Sequence, residues 1–348
     1  MTNNLQTPPD QPRLSRRRAA LRGLLLVLLA GLIAWGGAAL WFDGPSTRWL
    51  AGLLATGFII TMSALLLWAR PFHRAVFAVL AAFVIVLSWW LLIPPRNDRN
   101  WRPEVAQLPS ATIEGNLVTI HNVRNFGYHS ETDVTERWET RTYDLDRLRA
   151  FDMFLFYWGP TLYAHTIASW EFGDGNHVAV SIGARKEKGE FYSALRGFFR
   201  QYELYYVVAD ERDVIGVRAK YRGERIYLYR LKSSHERARA LLLDYLREIN
   251  RLAESPDWYN AITHNCTTTI QHHADQIAAG QPWSWKLILN GYVDELGWER
   301  GMIDTSLPFA ELRRRSEITE KAKAAFGDPA FSRRIREGLS DPRTPSRQ

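Results

Sequence analysis

Three long stretches without a charged residue lie in the first hundred residues of this chain. They cover 23–42, 49–69 and 75–93, and each is close to twenty residues long. A helix of about 20 residues crosses the roughly 30 Å hydrocarbon core of a bilayer. The sequence therefore predicts three transmembrane helices within a membrane region at 23–95. A cleaved signal peptide is the weaker alternative, because the first apolar run is too long for one and two more follow.

Arginines on either side of these stretches indicate the orientation. The arm at 1–22 contains five arginines and the loop at 70–74 contains two, whereas the loop at 43–48 has only Arg48. Loops that stay in the cytoplasm are enriched in Arg and Lys. We therefore expect a membrane protein with a cytoplasmic N-terminus. Three crossings would place the C-terminal part outside the cytoplasm.

The chain after the third stretch has the composition of a folded domain rich in Trp, Tyr and Phe. Residues 96–110 contain prolines and charges, which predicts a short stalk on the outer face of the membrane. A domain at 111–332 follows, and a basic tail at 333–348 is expected to be frayed. The net charge of +7 arises partly from arginines beside the membrane stretches, so no nucleic acid partner is expected.

The pattern of the domain predicts an α+β fold. Alternating apolar residues indicate strands from residue 112 onward, among them 163–172, 177–182 and 214–220. Residues 191–200 are typical of a short helix. Longer helices are predicted at 233–252, capped by Ser233 or Ser234, and from 266 to about 279.

Cys266 is the only cysteine of the chain, so no intramolecular disulfide can form. The helical pattern that follows it places the thiol in a first turn, where Asn265 or Thr263 can cap the helix. The positive end of a helix dipole favours a thiolate. We therefore predict that Cys266 is a nucleophile, and that Asn265 and Thr267 support the oxyanion. The alternative is that Cys266 is a small buried hydrophobic residue.

A cysteine nucleophile needs a base, and His165 is the best candidate because a strand would hold its imidazole rigidly. His177, on the next strand, is the candidate for a third group, with Glu171 and Asp174 behind it. A regular turn does not clearly place His165 and His177 on one face, so a bulge is expected. His264 is a weaker candidate for the base.

Metal binding is the competing chemistry. A possible cluster consists of His264, Cys266, His272 and His273, but its spacing matches no known zinc motif. We therefore predict no metal and no cofactor. A serine-hydrolase elbow and a phosphate-binding loop are also absent from the sequence.

Several short motifs together resemble the N-terminal periplasmic domain of lipoprotein N-acyltransferases. They are Tyr157-Trp158-Gly159, Ala164-His165-Thr166, Asp174-Gly175, Val180-Ser181-Ile182, Arg185-Lys186, Trp258-Tyr259-Asn260 and Asn265-Cys266-Thr267-Thr268. The resemblance covers roughly residues 100–331. The order of the two histidines and the Asn-Cys pair is also similar to circularly permuted papain-like thiol enzymes of the NlpC and lecithin-retinol acyltransferase types.

The resemblance implies an antiparallel sheet with helices, Cys266 as nucleophile, His165 as base and His177 as the third polar group. It implies an acyltransferase that acts through a thioester, with membrane phospholipid and a lipoprotein as partners. It also implies a bacterial inner-membrane protein, with the stalk at 96–110 and the domain at 111–332 in the periplasm. The three membrane stretches that precede the domain depart from the family's arrangement, so substrate and activity can differ. An envelope cysteine peptidase or amidase and a non-catalytic envelope scaffold are the alternatives. The oligomeric state is left open.

Overall fold

The computed structural model describes residues 11–173, 175–277 and 282–341. The chain divides into two compact units. The first runs up to Pro94 and includes Phe199–Gln201, and the second consists of Pro95–Phe198 and the chain from Tyr202 onward. The second unit is called the domain below.

The membrane unit consists of three helices, α1 (Gln11–Asp43), α2 (Arg48–Trp68) and α3 (Phe72–Leu91). All three contain segments that are long and apolar enough to cross a membrane, which confirms the predicted spans. Helix α1 already includes part of the basic arm, whose residues 1–10 lie outside the described part. Gly37 lets α1 approach α2 closely, since a Cβ there would come within 2.5 Å of the Ile59 side chain.

The domain is built on one large sheet. Its strands are β1 (Ser110–Glu114), β2 (Leu117–Arg124), β5 (Trp138–Asp144), β6 (Leu148–Tyr157), β7 (His165–Phe172), β8 (His177–Arg185), β9 (Glu203–Ala209) and β10 (Arg225–Arg230), with the small pair β3 (Gly127–Tyr128) and β4 (Val134–Thr135) apart from it. The order across the sheet is β1-β2-β9-β8-β7-β6-β10, with β5 also paired to β2. Neighbours are antiparallel except β2 and β9, which are parallel.

Helices cover both faces of this sheet. They are α4 (Glu211–Val214), α5 (Gly216–Lys220), α6 (His235–Glu254), α7 (Cys266–Ile277), α8 (Val293–Glu299), α9 (Phe309–Ser316), α10 (Thr319–Ala324) and α11 (Phe331–Arg336). Side chains of a strand alternate between faces. Leu155, Ala168 and Trp170 pack with α6 and the start of α7 on one face, called the α7 face. Phe154 and Ile167 pack with α4, α5, α10 and α11 on the other, called the α11 face. The α+β prediction is thus confirmed.

Two local predictions were wrong. The apolar alternation at 214–220 predicted a strand, but Asp210 accepts a hydrogen bond from the Arg212 backbone N–H and starts α4, which α5 continues. A capping side chain decided the structure there against the alternation. Residues 191–200 contain only a single 3-10 turn at Arg196–Phe198 instead of a helix.

Both predicted ends of the domain pack more closely than expected. Trp101, in the expected stalk at 96–110, is buried, and the Arg185 guanidinium lies 4.2 Å from its ring centre. In the expected tail, Arg336 is buried on the α11 face. The domain therefore extends beyond 111–332 on both sides. Residues 342–348 of the tail lie outside the described part.

Candidate active site

Cys266 is the first residue of α7, as predicted. The Asn265 side-chain oxygen accepts hydrogen bonds from the backbone N–H groups of Thr267 and Thr268, at 2.9 and 3.0 Å. Asn265 is therefore the N-cap of this helix. Because these two N–H groups are already bonded to Asn265, they do not face an incoming oxyanion in this state. Asn265 contributes to the site by fixing the start of the helix.

The Cys266 thiol belongs to the main apolar core on the α7 face, and the residue is only 8% exposed. The polar groups around its sulfur are called the Cys266 pocket. The Cys266 Sγ is 3.8 Å from the Thr267 hydroxyl and 3.9 Å from the side-chain nitrogen of Asn290. The backbone of Thr166 also lowers the pKa of the thiol. Hydrogen-bonding groups therefore border the sulfur within an otherwise apolar core.

Asn290 is the member of this pocket that the sequence analysis missed. Its side-chain oxygen accepts a hydrogen bond from the Ala164 backbone N–H at 2.9 Å. Its amide nitrogen donates to the Thr267 hydroxyl at 2.7 Å. The first bond fixes the orientation of the amide, so the N–H groups must point toward Cys266. Thr267, predicted as a support residue, therefore acts as the partner of this amide.

The loop that carries Asn290 is held firmly against the end of β7. A Cβ on Gly291 would lie 1.8 Å from the Thr161 carbonyl oxygen, so only glycine fits there. The Tyr157 hydroxyl donates to the Gly291 carbonyl at 2.8 Å. The Asn-Gly pair at 290–291 is the only sequence signal for this feature, and such a pair normally indicates a turn.

Three tyrosines lie close to the thiol. Burial raises the pKa of Tyr245, Tyr259 and Tyr192, and the negative charge that Cys266 would carry as a thiolate raises each one further. The Tyr245 hydroxyl is buried and has no hydrogen-bond partner among the described residues. These phenols remain protonated at neutral pH and are available as hydrogen-bond donors.

The structure does not bring the His165 ring to Cys266. Thr166 contacts α7, since its hydroxyl lies 3.5 Å from that of Thr267. His165 is the preceding residue of β7 and therefore points to the α11 face. Its Nε2 is hydrogen-bonded with the Ser181 hydroxyl at 2.7 Å, and its ring lies near Phe156. No hydrogen bond joins this ring to the thiol.

His177 lies on the same face as His165. Glu171 pairs with His177 and Ile167 pairs with Ser181 in a regular register, so the expected bulge was wrong. His165 lies six residues along β7 from Glu171, the partner of His177, so the two histidines are roughly 20 Å apart along the sheet. His177 Nδ1 is hydrogen-bonded with the Gly175 carbonyl, far from Cys266 in register. Asp174 lies outside the described residues.

The protonation states differ from those predicted for an activated thiolate. Burial raises the pKa of Cys266, and this effect exceeds the opposing hydrogen bonds from Thr166 and Thr267. Burial also lowers the pKa of His165 well below its ordinary value, and the charges of Arg218 and Arg222 add to this shift. A neutral thiol and a neutral imidazole are therefore the resting forms, because desolvation outweighs the end of the helix.

This difference can be measured with an alkylating reagent. We expect the rate of Cys266 alkylation by iodoacetamide to have a midpoint above the ordinary value of about 8.5 in the folded chain. In guanidinium chloride the midpoint should fall to that value, because the desolvation is lost. A folded-state midpoint below the unfolded one would mean that a nearby cation stabilises a thiolate.

The remaining histidines near α7 lie in different surroundings. His264 and His272 are exposed, whereas His273 is buried between Asp244 and Tyr206, at 2.6 and 2.7 Å. Over the described ranges, no three His, Cys, Asp or Glu side chains come together in a way that could hold a metal ion.

One comparison with known proteins gave a match. Residues 134–291 match the family model described as the Lnb N-terminal periplasmic domain. No curated protein and no solved structure matches the chain, so the likeness to papain-like enzymes stays a prediction. The matched stretch includes His165, His177 and Cys266 and ends directly after Asn290. The chain therefore contains, over residues 134–291, a domain of the Lnb N-terminal periplasmic domain family, in a membrane protein with three candidate spans.

Proposed function

We propose that this domain is a thiol acyltransferase that takes an acyl group from a membrane lipid and holds it as a thioester on Cys266. The observation that carries the proposal is the fixed amide of Asn290, 3.9 Å from the sulfur at the start of α7. A preorganised N–H donor beside a nucleophile is suited to an oxyanion. The family match and the resemblance to lipoprotein acyltransferases support the same chemistry.

In the first step the sulfur attacks the carbonyl carbon of an acyl ester. A C–S bond forms, and the carbonyl oxygen becomes an oxyanion that accepts hydrogen bonds from the Asn290 amide. The thiol proton passes to a base. When the ester C–O bond breaks, that proton is returned to the leaving alkoxide, which departs as an alcohol. The thioester remains on Cys266.

We assign the base to His165, because it directly precedes Thr166, whose hydroxyl lies 3.5 Å from that of Thr267 next to Cys266. Its lowered pKa keeps the ring neutral, so one ring nitrogen has a free lone pair. Nδ1 makes no hydrogen bond with any described residue, while Ser181 holds Nε2. The His165 ring points to the α11 face, but it lies at the very start of β7. Transfer of the thiol proton to this ring therefore requires that the ring turns around the end of the strand, or that a water molecule bridges the sulfur and the ring.

In the second step an amine attacks the thioester. A C–N bond forms, the C–S bond breaks, and the amine proton returns through the base to the sulfur. The N-terminal amine of a lipoprotein is the proposed acceptor, and water in its place would make the enzyme a lipase. We propose a bacterial inner-membrane location on the basis of the match to a periplasmic domain family, and a cytoplasmic N-terminus on the basis of the arginines beside the spans.

The experiment that tests this function detects the thioester. The full chain is incubated with phospholipid in detergent micelles and analysed by intact-protein mass spectrometry. We expect an added acyl mass that hydroxylamine removes at neutral pH, and its complete loss in Cys266→Ala. Cys266→Ser should at most form a stable ester. Equal acylation of wild-type protein and Cys266→Ala would overturn the proposal.

The buried thiol with its raised pKa favours a second candidate, a non-catalytic envelope scaffold. Inert structural cysteines are buried in this way. A scaffold would form no acyl adduct with phospholipid or with a short acyl thioester. An amidase or peptidase would use the same sulfur but would be acylated by a peptide and not by lipid, so the same measurement separates all three.

A further inference from the structure

Most of the large apolar side chains that the domain exposes belong to three segments. These segments are 158–163, 191–195 and 283–288, and their exposed apolar side chains are called the apolar rim. Phe191 is 79% exposed and Trp283 is 71% exposed. An exposed concentration of aromatic side chains stands out, because soluble domains rarely place large apolar groups next to one another in water.

Two segments of the rim contact residues that belong to the Cys266 pocket. The Leu162 carbonyl accepts a hydrogen bond from the Gly291 backbone, next to Asn290. The hydroxyl of Tyr192 lies 3.2 Å from that of Tyr259. A negative charge on Cys266 would raise the pKa of both tyrosines.

The third segment approaches the same pocket from the loop before Asn290. Trp285 packs edge-on against Tyr292, two residues after Asn290, at 5.4 Å between ring centres. The three segments of the rim therefore all adjoin residues around the thiol and are not scattered over the domain surface.

The charges near the rim are already neutralised. Lys286 is paired with Glu295 and Glu299 at 2.9 and 2.7 Å, and Arg196 is paired with Glu190 at 2.8 Å. The partner of this surface is therefore recognised by apolar contact and not by charge. Trp and Tyr are the residues enriched where a protein meets the interface of a bilayer.

The chain itself keeps the domain next to a bilayer. Helix α3 ends at Leu91 and the domain begins at Pro95. The three connecting residues span at most about 10 Å even when fully extended. A lipid surface is thus the apolar partner that is always within reach, and at an effective concentration that no diffusing protein attains.

We propose that the apolar rim inserts into the lipid interface of the membrane that the three helices span, and thereby presents lipid acyl esters to Cys266. Insertion of the rim does not depend on the proposed function, whereas presentation of acyl esters to Cys266 rests on it. Burial of exposed aromatic side chains in lipid is favourable, and several of them act together in a domain that is tethered to the bilayer.

The test uses the full chain in nanodiscs of phosphatidylethanolamine and phosphatidylglycerol. Cysteines introduced as Phe191→Cys, Trp158→Cys or Trp285→Cys, in a Cys266→Ser background, carry a bimane label. Doxyl-labelled lipid serves as quencher. Met302→Cys is the matched control, because Met302 is also an exposed apolar residue. Its carbonyl accepts a hydrogen bond from the Lys232 backbone N–H, just beyond the end of β10 that pairs with Asp152. Tyr157, which precedes the first segment of the rim, pairs with the opposite end of β10.

We expect the labels at 158, 191 and 285 to lose most of their fluorescence in doxyl nanodiscs, with little change at high salt, and the label at 302 to keep it. Equal quenching at all four positions would overturn the proposal. So would labels that are shielded from water but not quenched by lipid, since another protein or a second copy would then cover the rim. Because this readout needs no catalysis, failure of the rim and failure of the acyltransferase are distinguishable.

Discussion

Replacing Asn290 with alanine is expected to slow formation of the Cys266 acyl-enzyme by about 10²- to 10³-fold, the usual effect of removing one oxyanion donor. The reason is geometric. The Ala164 backbone fixes the amide oxygen, so the amide nitrogen faces the sulfur before any substrate arrives. The rate is measured in a single turnover by mass spectrometry. Asn290→Asp should be slowed as well, because it keeps the acceptor for Ala164 but lacks the donor.

The control for this prediction is Asn250→Ala. Asn250 also clamps a backbone, with bonds of 2.8 and 2.7 Å to Ala111, but it lies away from the thiol pocket. Its loss should lower stability about as much as the loss of Asn290 while leaving the acylation rate nearly unchanged. If Asn290→Ala slows the reaction no more than Asn250→Ala does, the amide has only a structural role. Full loss of acylation in Cys266→Ala would still support the thiol mechanism in that case.

Local sequence signals were sufficient for the features that depend on neighbouring residues. The three spans follow from uninterrupted apolar runs, and the start of α7 follows from Asn265 and the helical pattern after it. Ser234 caps α6 in the same way, through a bond from the Arg237 backbone. These features are decided within a few residues of the chain, so a single sequence contains the information.

Features that depend on the packing of distant segments could not be predicted in this way. His165 was expected beside Cys266. The face of the sheet on which its ring lies is decided by the neighbouring Thr166, which packs against Thr267 of α7, about a hundred residues further along the chain. The pKa of the Cys266 thiol depends on its burial in a core that includes Tyr245 and Tyr259, and not only on its place at the start of α7. The Asn-Gly pair at 290–291 indicates only a turn. The role of Asn290 follows from its bond to Ala164, which is distant in the sequence.

Replacing Arg336 with leucine is expected to destabilise the domain by about 3–5 kcal/mol, because two buried carboxylates lose their main partner. The Arg336 guanidinium lies 2.6 Å from Glu211 and 2.9 Å from Asp152, and both acids are fully buried. Arg230 remains beside Asp152, whereas among the described residues Glu211 then keeps only the hydrogen bond from the Ser169 hydroxyl. The measurement is thermal and denaturant unfolding of the full chain in detergent, followed by near-ultraviolet circular dichroism.

The pH dependence of this destabilisation has a definite sign. Burial alone would raise the pKa of Glu211, but the charges of Arg336 and His177 outweigh it and lower the pKa. A lowered folded-state pKa stabilises the wild-type domain above the unfolded value of about 4.3, and this contribution is lost as the pH falls further. In Arg336→Leu the burial dominates, so the pKa of Glu211 rises and protonation at low pH relieves the penalty. The stability difference between wild type and variant should therefore be largest near neutral pH and shrink toward pH ~4.

Arg333→Leu is the matched control, since Arg333 lies on the same short helix with its side chain 74% exposed and only a 3.6 Å contact to Glu337. Exposed pairs of this kind contribute at most about 1 kcal/mol. Adding Glu211→Gln to Arg336→Leu should restore part of the lost stability, because the buried charge is then absent. If Arg336→Leu unfolds no more easily than Arg333→Leu at neutral pH, the end of the chain does not stabilise the sheet as the structure indicates. If the two differ equally at pH ~4 and at neutral pH, then the effect comes from packing of the arginine stem and not from its charge.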